Sequence, residues 1–224
     1  MLAGRVVLVT GGGAGIGRAI ALGLEDAHAT VTVVDGDFAS RAEAEAAFAA
    51  VRDEAGALDA VVHAFVDPAA LASEPLADTE AADWDRRCEA MLRAALHCCL
   101  AAGQELSARG GRVVLVTPTI ALTGAAGLVP YATAVEGMRA MAKSAARQWG
   151  ERRITVNCVA PPVELMAPAR GAAPAGLALT DRPLGRDPDA RTDVAPVVAL
   201  LAADPAHFVT GATIPVDGGI VMAP

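Results

Sequence analysis

Aromatic residues are scarce in this chain of 224 residues, in which Phe, Trp and Tyr together make up 3% and tyrosine occurs once. Hydrophobic residues nevertheless make up 54% and charged residues 20%, which excludes a disordered chain and leaves enough apolar material for one sizeable core. Ala, Val and Leu must therefore fill that core, and helices that pack through alanine can approach one another closely.

Three further absences exclude classes of location, partner and site. No apolar run reaches the roughly 18 residues of a membrane-spanning helix, and the N-terminus lacks a signal-peptide pattern, so we expect a cytoplasmic protein that does not bind membranes. A net charge of -8 disfavours nucleic acid as a partner. The few cysteines form neither a disulfide framework nor a metal-ligand spacing, so we expect buried free thiols and no metal site. They are Cys88, Cys98, Cys99 and Cys158.

The stretch that organises the chain is 5–24, RVVLVTGGGAGIGRAIALGL. A short β-branched run predicts a buried strand, TGGGAGIG predicts a glycine turn, and apolar residues at helical spacing follow. Glycines are needed there because the turn requires backbone angles that a Cβ disfavours and because phosphate approaches only where side chains are absent. The candidate cofactor-binding residues are Gly11, Gly15 and Gly17.

Strands and helices alternate along the rest of the sequence, which predicts one α/β domain over 1–224 with a parallel, doubly wound sheet. Ser40 is the predicted N-cap of the second helix, with Glu43 as its capping-box partner. The predicted strands are 6–9, 30–34, 58–66, 111–116, 154–159 and 212–216, the predicted later helices are 40–51, 83–108, 131–150 and 194–203, and 161–189 is a predicted loop.

From end to end the chain resembles the short-chain dehydrogenase/reductase family, in particular its β-ketoacyl-reductase-like subtype. The resemblance rests on TGGGAGIG, Trp84, GRVVLVT, Tyr131 at the head of a long helix, ITVNCVAP and the closing PVVALLAADPAHFVTGATIPVDGG. It implies a Rossmann-type fold with helices on both faces of the sheet. It also implies hydride transfer between NAD(P) and an alcohol or ketone, and assembly as dimers or tetramers.

The resemblance places catalytic groups where this sequence has apolar residues. The family's catalytic tyrosine corresponds to Tyr131, but the lysine expected four residues later is Val135. The serine position falls on Pro118 and the asparagine position on Met91. Thr117 and Thr119 flank Pro118, but in a strand their side chains would point to the face opposite that of residue 118. A tyrosine without its lysine is a poor acid at neutral pH, so we expect Tyr131 to be vestigial.

The cofactor positions depart from the family in the same way. The NNAG segment is His63-Ala64-Phe65-Val66, and the segment that holds the nicotinamide amide is Pro161-Pro162-Val163-Glu164-Leu165-Met166, which lacks both its glycine and its threonine. We expect His63 to be a packing residue and this chain to bind no cofactor.

The first half of the fold is also short, because a DVTDEAA-like segment follows the second strand directly at 37–43. One helix and the edge strand beside the adenine pocket are therefore predicted to be missing. Asp35 is a candidate for binding the adenosine ribose and selecting NAD over NADP. The alternative, given equal weight, is that Asp35 or Asp37 only marks the end of a strand and binds no ribose.

Three functions remain open. The first is a catalytically silent subunit that pairs with an intact homologue, which binds NAD(P), in a hetero-oligomeric dehydrogenase or ketoreductase acting on a β-hydroxyacyl or β-ketoacyl thioester. The expected heterotetramer uses 83–108, 131–150 and the C-terminal tail 213–224, because the two helices and the tail stay full length. The second is a divergent ketoreductase that uses Tyr131. The third is a non-enzymatic protein that binds a ligand in a pocket lined by Met91, Phe65 and Val135.

Overall fold

The structure is a computed structural model that describes residues 1–106, 109–167 and 182–222. Six parallel strands form its sheet in the order β2-β1-β3-β4-β5-β6. The predicted α/β fold class is confirmed, and each predicted strand is found, with changes only at the ends. The strands are β1 (Val6–Thr10), β2 (Thr30–Val34), β3 (Ala60–His63), β4 (Gly111–Val116), β5 (Ile154–Ala160) and β6 (Thr213–Pro215).

Helices cover both faces of the sheet. α1 packs against α7 on one face, whereas α4 lies between α2 and α6 on the other. The two faces follow from the right-handed crossovers: the chain moves from β1 to β2 in one direction along the sheet and from β2 to β3 in the opposite direction, so α1 and α2 lie on opposite faces. The helices are α1 (Gly15–Asp26), α2 (Arg41–Ala55), α3 (Ala81–Trp84), α4 (Ala90–Glu105), α5 (Ile120–Thr123), α6 (Val129–Trp149) and α7 (Ala195–Ala202).

The predicted N-cap of α2 is confirmed, because the backbone N–H of Glu43 donates to Ser40 Oγ at 3.2 Å. The predicted helix 83–108 is instead three pieces: α3, a π-helical turn at Asp85–Glu89, and α4. The extra residue of the π turn rotates the following helix face. In this arrangement Cys88 is buried and Arg87 pairs with Glu74 at 2.8 Å.

Other predicted bounds shift by a few residues. The helix that carries Tyr131 begins two residues earlier, at Val129, with Pro130 in its first turn, where a missing N–H costs nothing. A π-helical turn at Ala190–Val194 precedes α7. Predicted features at 107–108, 168–181 and 223–224 lie outside the described residues. They include the middle part of the 161–189 loop, the end of the 83–108 helix and the last two residues of the tail.

The first half of the sheet is short, as predicted. The chain passes from β2 through α2 directly to β3, which pairs with β1 on the side opposite β2. β2 is therefore an edge strand, and the strand order reverses between β1 and β3. In doubly wound folds ligands bind outside the carboxyl ends of the strands at such a reversal.

Candidate functional site

A cleft of about 380 Å³ opens at this reversal, beyond the carboxyl ends of β1 and β3. The glycine loop after β1 forms one wall, the end of β2 a second, and the segment after β3 a third. Its lining residues are Gly11, Gly13, Ala14, Gly15, Ile16, Asp35, Gly36, Ala64, Phe65, Val66, Pro68 and Met166.

Close backbone packing explains the glycines of the loop. Gly11 has a φ of 69°, and a Cβ on it would lie 2.5 Å from the Cα of Phe65. A Cβ on Gly17 would lie 2.1 Å from the carbonyl oxygen of Gly11. β3 ends at His63, three residues before its predicted end, because the chain must leave the sheet to pass over Gly11. Gly11 and Gly17 therefore join loop, helix and β3 in one packed unit.

The first turn of α1 faces the cleft with its backbone donors uncapped. Its N-cap residue Ala14 offers no side-chain acceptor, and the turn contains no acidic residue. Such a helix N-terminus carries partial positive charge and attracts anions. The loop and helix are thus arranged to hold a diphosphate.

A carboxylate already reaches this loop. Asp35, at the end of β2, lines the cleft and accepts a hydrogen bond from the Gly13 N–H at 2.9 Å. The other candidate, Asp37, accepts only from the nearby Ala39 N–H at 3.3 Å. Of the two aspartates, Asp35 alone lines the cleft, where it would repel an additional phosphate such as the 2′-phosphate of NADP.

His63 lies beneath the cleft as a fully buried residue. Its Nδ1 is 2.8 Å from the hydroxyl of Thr10, and the two residues are direct neighbours in the β1–β3 register. Its Nε2 has no hydrogen-bond partner among the described residues. Burial lowers the pKa of His63 to about 4, so the ring is neutral at physiological pH. Thr10 was not predictable as the partner of His63, because the contact depends on which strands are adjacent.

Tyr131 lies in the core and not on the wall of the cleft. The residue is 0% exposed, and its hydroxyl has no hydrogen-bond partner among the described residues. Burial raises the pKa of Tyr131 well above its usual value. Val135, one turn later on α6, is also buried and brings no charge to the phenol.

The two remaining catalytic positions are buried as well. Pro118 follows β4, which ends at Val116, so the alternation expected for its neighbours in a strand does not apply: Thr117 and Thr119 are both buried. Met91 is buried on α4, and its sulfur accepts a hydrogen bond from the Asp67 N–H at 3.2 Å. Neither position presents a hydroxyl or amide to the cleft.

The residues present fit one part of a dinucleotide and not the other. The glycine loop and the start of α1 fit a diphosphate. Of the residues predicted to line a ligand pocket, Phe65 lines the cleft, whereas Met91 and Val135 lie in the core. Apart from Asp35, the described residues that line the cleft have apolar side chains or are glycines.

The described residues offer little alternative chemistry. All four cysteines are buried free thiols, as predicted, and burial raises the pKa of Cys99 to about 12 and that of Cys158 to about 11. They are poor nucleophiles, since the thiolate is the reactive form. Within the described ranges no group of three or more potential ligands could hold a metal ion, and no helix is long and apolar enough to cross a membrane.

Known proteins resemble this chain over nearly its whole length. A family profile described as enoyl-(acyl carrier protein) reductase matches residues 20–221. A 3-oxoacyl-[acyl-carrier-protein] reductase of Staphylococcus aureus is 30% identical, over 97% of this chain and 98% of the relative. A short-chain dehydrogenase/reductase of Armillaria gallica is 32% identical, over 98% of this chain and 97% of the relative.

The solved structures agree with these matches. A dehydrogenase/reductase from Sinorhizobium meliloti superposes with a TM-score of 0.81 at 30% identity, covering 97% of this chain and 95% of that one. Strand order, glycine loop, family profile and relatives lead to one conclusion. The chain belongs to the short-chain dehydrogenase/reductase family, a family of oxidoreductases.

Proposed function

We propose that this chain is a non-catalytic member of its family that completes an oligomer with a catalytically intact homologue. The observation that carries the proposal is the burial of Tyr131 with Val135 beside it. Hydride transfer to a carbonyl needs a proton donor beside the developing alkoxide. A fully buried phenol with a raised pKa, with valine at the position of the family's lysine, is a poor proton donor at neutral pH.

The cofactor belongs to the intact subunit in this proposal. When bound in such a subunit, NAD(P) supplies the hydride, and that subunit's own tyrosine and lysine supply the proton. In the proposed complex the present chain contributes structure alone.

Removing the tyrosine hydroxyl tests the catalytic half of the proposal. We expect Tyr131→Phe to leave any NAD(P)H-dependent reduction of a β-ketoacyl thioester at the background level of the wild-type chain. We also expect the free energy of unfolding to rise by roughly 1 kcal/mol, because an unpaired buried hydroxyl is removed. Urea denaturation and a spectrophotometric assay of NAD(P)H oxidation measure the two effects.

The outcome that contradicts it is equally clear. Turnover by the purified wild-type chain that Tyr131→Phe abolishes would make the chain a divergent ketoreductase. Tyr131→Leu serves as the control, because it removes ring and hydroxyl together and is expected to destabilise the core.

Helices α4 and α6 provide the surface for the intact partner. They pack on each other, since a Cβ on Gly137 would lie 3.1 Å from Leu92 and one on Gly103 would lie 2.8 Å from the Trp149 ring. On the outer side of α4 Leu96 is 43% exposed. Leu92 and Leu100 on the same helix are partly exposed, and we propose that these leucines contact the partner.

A charge at this position is expected to weaken the assembly. Leu96→Arg should reduce the affinity for the intact subunit at least tenfold, because a charge would be buried in an apolar contact. The matched control is Leu76→Arg, since Leu76 is 63% exposed and belongs to neither helix. Native mass spectrometry of the complex from source cells reads out both variants. Equal complex formation by the two variants excludes this surface.

The partner's chemistry follows from the relatives. Because a 3-oxoacyl-[acyl-carrier-protein] reductase is among them, we propose a partner that carries intact serine, tyrosine and lysine and acts on a β-ketoacyl or β-hydroxyacyl thioester. The same mass spectrum identifies that subunit. If homomers alone appear and they carry NAD(P), the proposal fails.

A second candidate function is nucleotide binding without turnover, and the cleft at the glycine loop favours it. Titration calorimetry with ADP, NAD and NADP tests it, with Gly15→Val as the variant that blocks the start of α1. Binding of ADP and NAD to wild type alone would support this function.

A further inference from the structure

The outer edge of β2 is open. The Thr30 N–H donates to the Arg5 carbonyl at 2.9 Å and the Gly11 N–H donates to the Val34 carbonyl at 3.0 Å. Residues in a strand alternate in the direction of their backbone groups, so Thr30, Thr32 and Val34 bond to β1. Val31 and Val33 therefore direct their N–H and C=O groups away from the sheet. No partner for them occurs in the described part of the chain.

This edge carries none of the features that protect edge strands. Natural edges are blunted by proline, lysine, bulges or a covering element. β2 reads TVTVV, contains no charge and no proline, and pairs with β1 without a bulge. None of its residues is fully buried, whereas all four residues of β3 are. The strand is thus suited to accept another strand.

We propose that the β2 edges of two copies of this chain pair antiparallel about a two-fold axis at Thr32, joining two six-stranded sheets into one. In this register Val31 of one copy faces Val33 of the other, and the two exchange both backbone hydrogen bonds. Thr32 faces its own counterpart at a position without backbone hydrogen bonds. The backbone groups of Val31 and Val33 point away from the sheet and those of Thr32 point toward β1, which is the alternation of bonded and non-bonded pairs in an antiparallel ladder. The symmetry allows four hydrogen bonds between the copies.

The outward groups of β2 fit a second copy of the same strand. Each copy presents two outward N–H and two outward C=O groups, those of Val31 and Val33, and their arrangement is symmetric about Thr32. The extended backbone begins after His28, which lies in a turn with a φ of 69°, so the pairing is confined to Thr30–Val34. A second β2 in the antiparallel register therefore satisfies every outward group of the first.

This pairing is independent of the proposed function. It uses backbone groups of β2, whereas the contact with an intact homologue uses side chains of α4 and α6. Loss of one assembly therefore leaves the other measurable.

A cysteine scan tests the register in the full chain. We expect Thr32→Cys to form a covalent dimer on mild oxidation with copper phenanthroline, because facing residues at such a position lie about 4.5 Å apart at Cα. Thr30→Cys is the matched control and should stay monomeric on a denaturing gel. Its two copies would be four residues apart along the strand, about 13 Å. The native thiols are buried and do not interfere. A mixture of Thr30→Cys and Val34→Cys should form a covalent heterodimer.

A proline substitution tests the hydrogen bonds. Val33→Pro removes an outward N–H that does not bond to β1. Circular dichroism should therefore show an intact fold, whereas sedimentation velocity should show that the dimer is lost. Val33→Thr keeps the N–H and should keep the dimer. A wild-type chain that stays monomeric at all concentrations, or Thr32→Cys that crosslinks no better than Thr30→Cys, overturns the pairing. A homodimer sensitive to Leu96→Arg and insensitive to Val33→Pro also overturns it.

Discussion

Gly17→Ala is expected to lower the free energy of unfolding by about 3 kcal/mol, because the new methyl group would meet backbone and not a movable side chain. Its Cβ would lie 2.1 Å from the Gly11 carbonyl oxygen and 3.1 Å from the Gly12 Cα. Gly11 cannot move away from the new methyl group, since its N–H donates a hydrogen bond to the Val34 carbonyl and its Cα lies close to the backbone of Phe65. The clash therefore displaces the whole loop. Urea denaturation followed by circular dichroism measures the loss.

A matched control exists elsewhere in the chain. Gly150 is exposed at the end of α6, and nothing lies within 4 Å of a Cβ built on it. Gly150→Ala should leave stability unchanged or raise it by up to about 1 kcal/mol, through reduced entropy of the unfolded chain. If Gly17→Ala proves as stable as Gly150→Ala, the loop is not packed as described. The loop would then have room for a Cβ at Gly17.

The sheet was predictable because its strands are short β-branched runs bounded by glycine and polar residues. β2 and β4 begin and end at the predicted residues, and β1 extends one residue further. The C-terminal end of β3 was not predictable from its own residues. It depends on Gly11, which packs against the backbone of Phe65, and that contact joins segments more than fifty positions apart.

The helix that carries Met91 shows a second limit. Periodicity predicted one long helix, whereas the structure has a π turn at Asp85–Glu89. Such a turn changes the phase of the apolar pattern by one residue, which a continuous pattern of alanine and leucine conceals. The ion pair joins Arg87, within this turn, to Glu74, which lies in an earlier segment of the chain.

The site divides in the same way. Residue types alone predicted that positions 91, 118 and 135 carry no catalytic group, because no fold can give a methionine, proline or valine the chemistry of an amide, hydroxyl or ammonium group. The burial of Tyr131 was not predictable, since it depends on how α6 packs. The same is true of the contact between Asp35 and Gly13, which requires β2 to lie beside β1.

His63 is expected to make stability fall steeply with acid. Its folded-state pKa of about 4, lowered by burial, lies below the value of 6.5 for an exposed histidine. Between these values the unfolded chain takes up a proton that the folded chain refuses, so unfolding becomes more favourable as pH falls. The stabilising contribution is complete above pH 6.5 and is lost as pH falls toward 4. Its size is about 3 kcal/mol, of which roughly 2.5 kcal/mol is lost by pH 4.5.

Comparison with His63→Gln isolates this effect from the carboxylates, which titrate equally in both proteins. The free energy of unfolding in urea is measured at pH 7.5 and at pH 4.5, and the wild-type decrease should exceed that of His63→Gln by roughly 2.5 kcal/mol. His207→Gln is the control for replacing a histidine at an exposed position. Equal decreases in wild type and His63→Gln would mean that the imidazole accepts a proton in the folded state. Nε2 would then have a partner, such as water entering from the cleft, and the floor of the cleft would be wet.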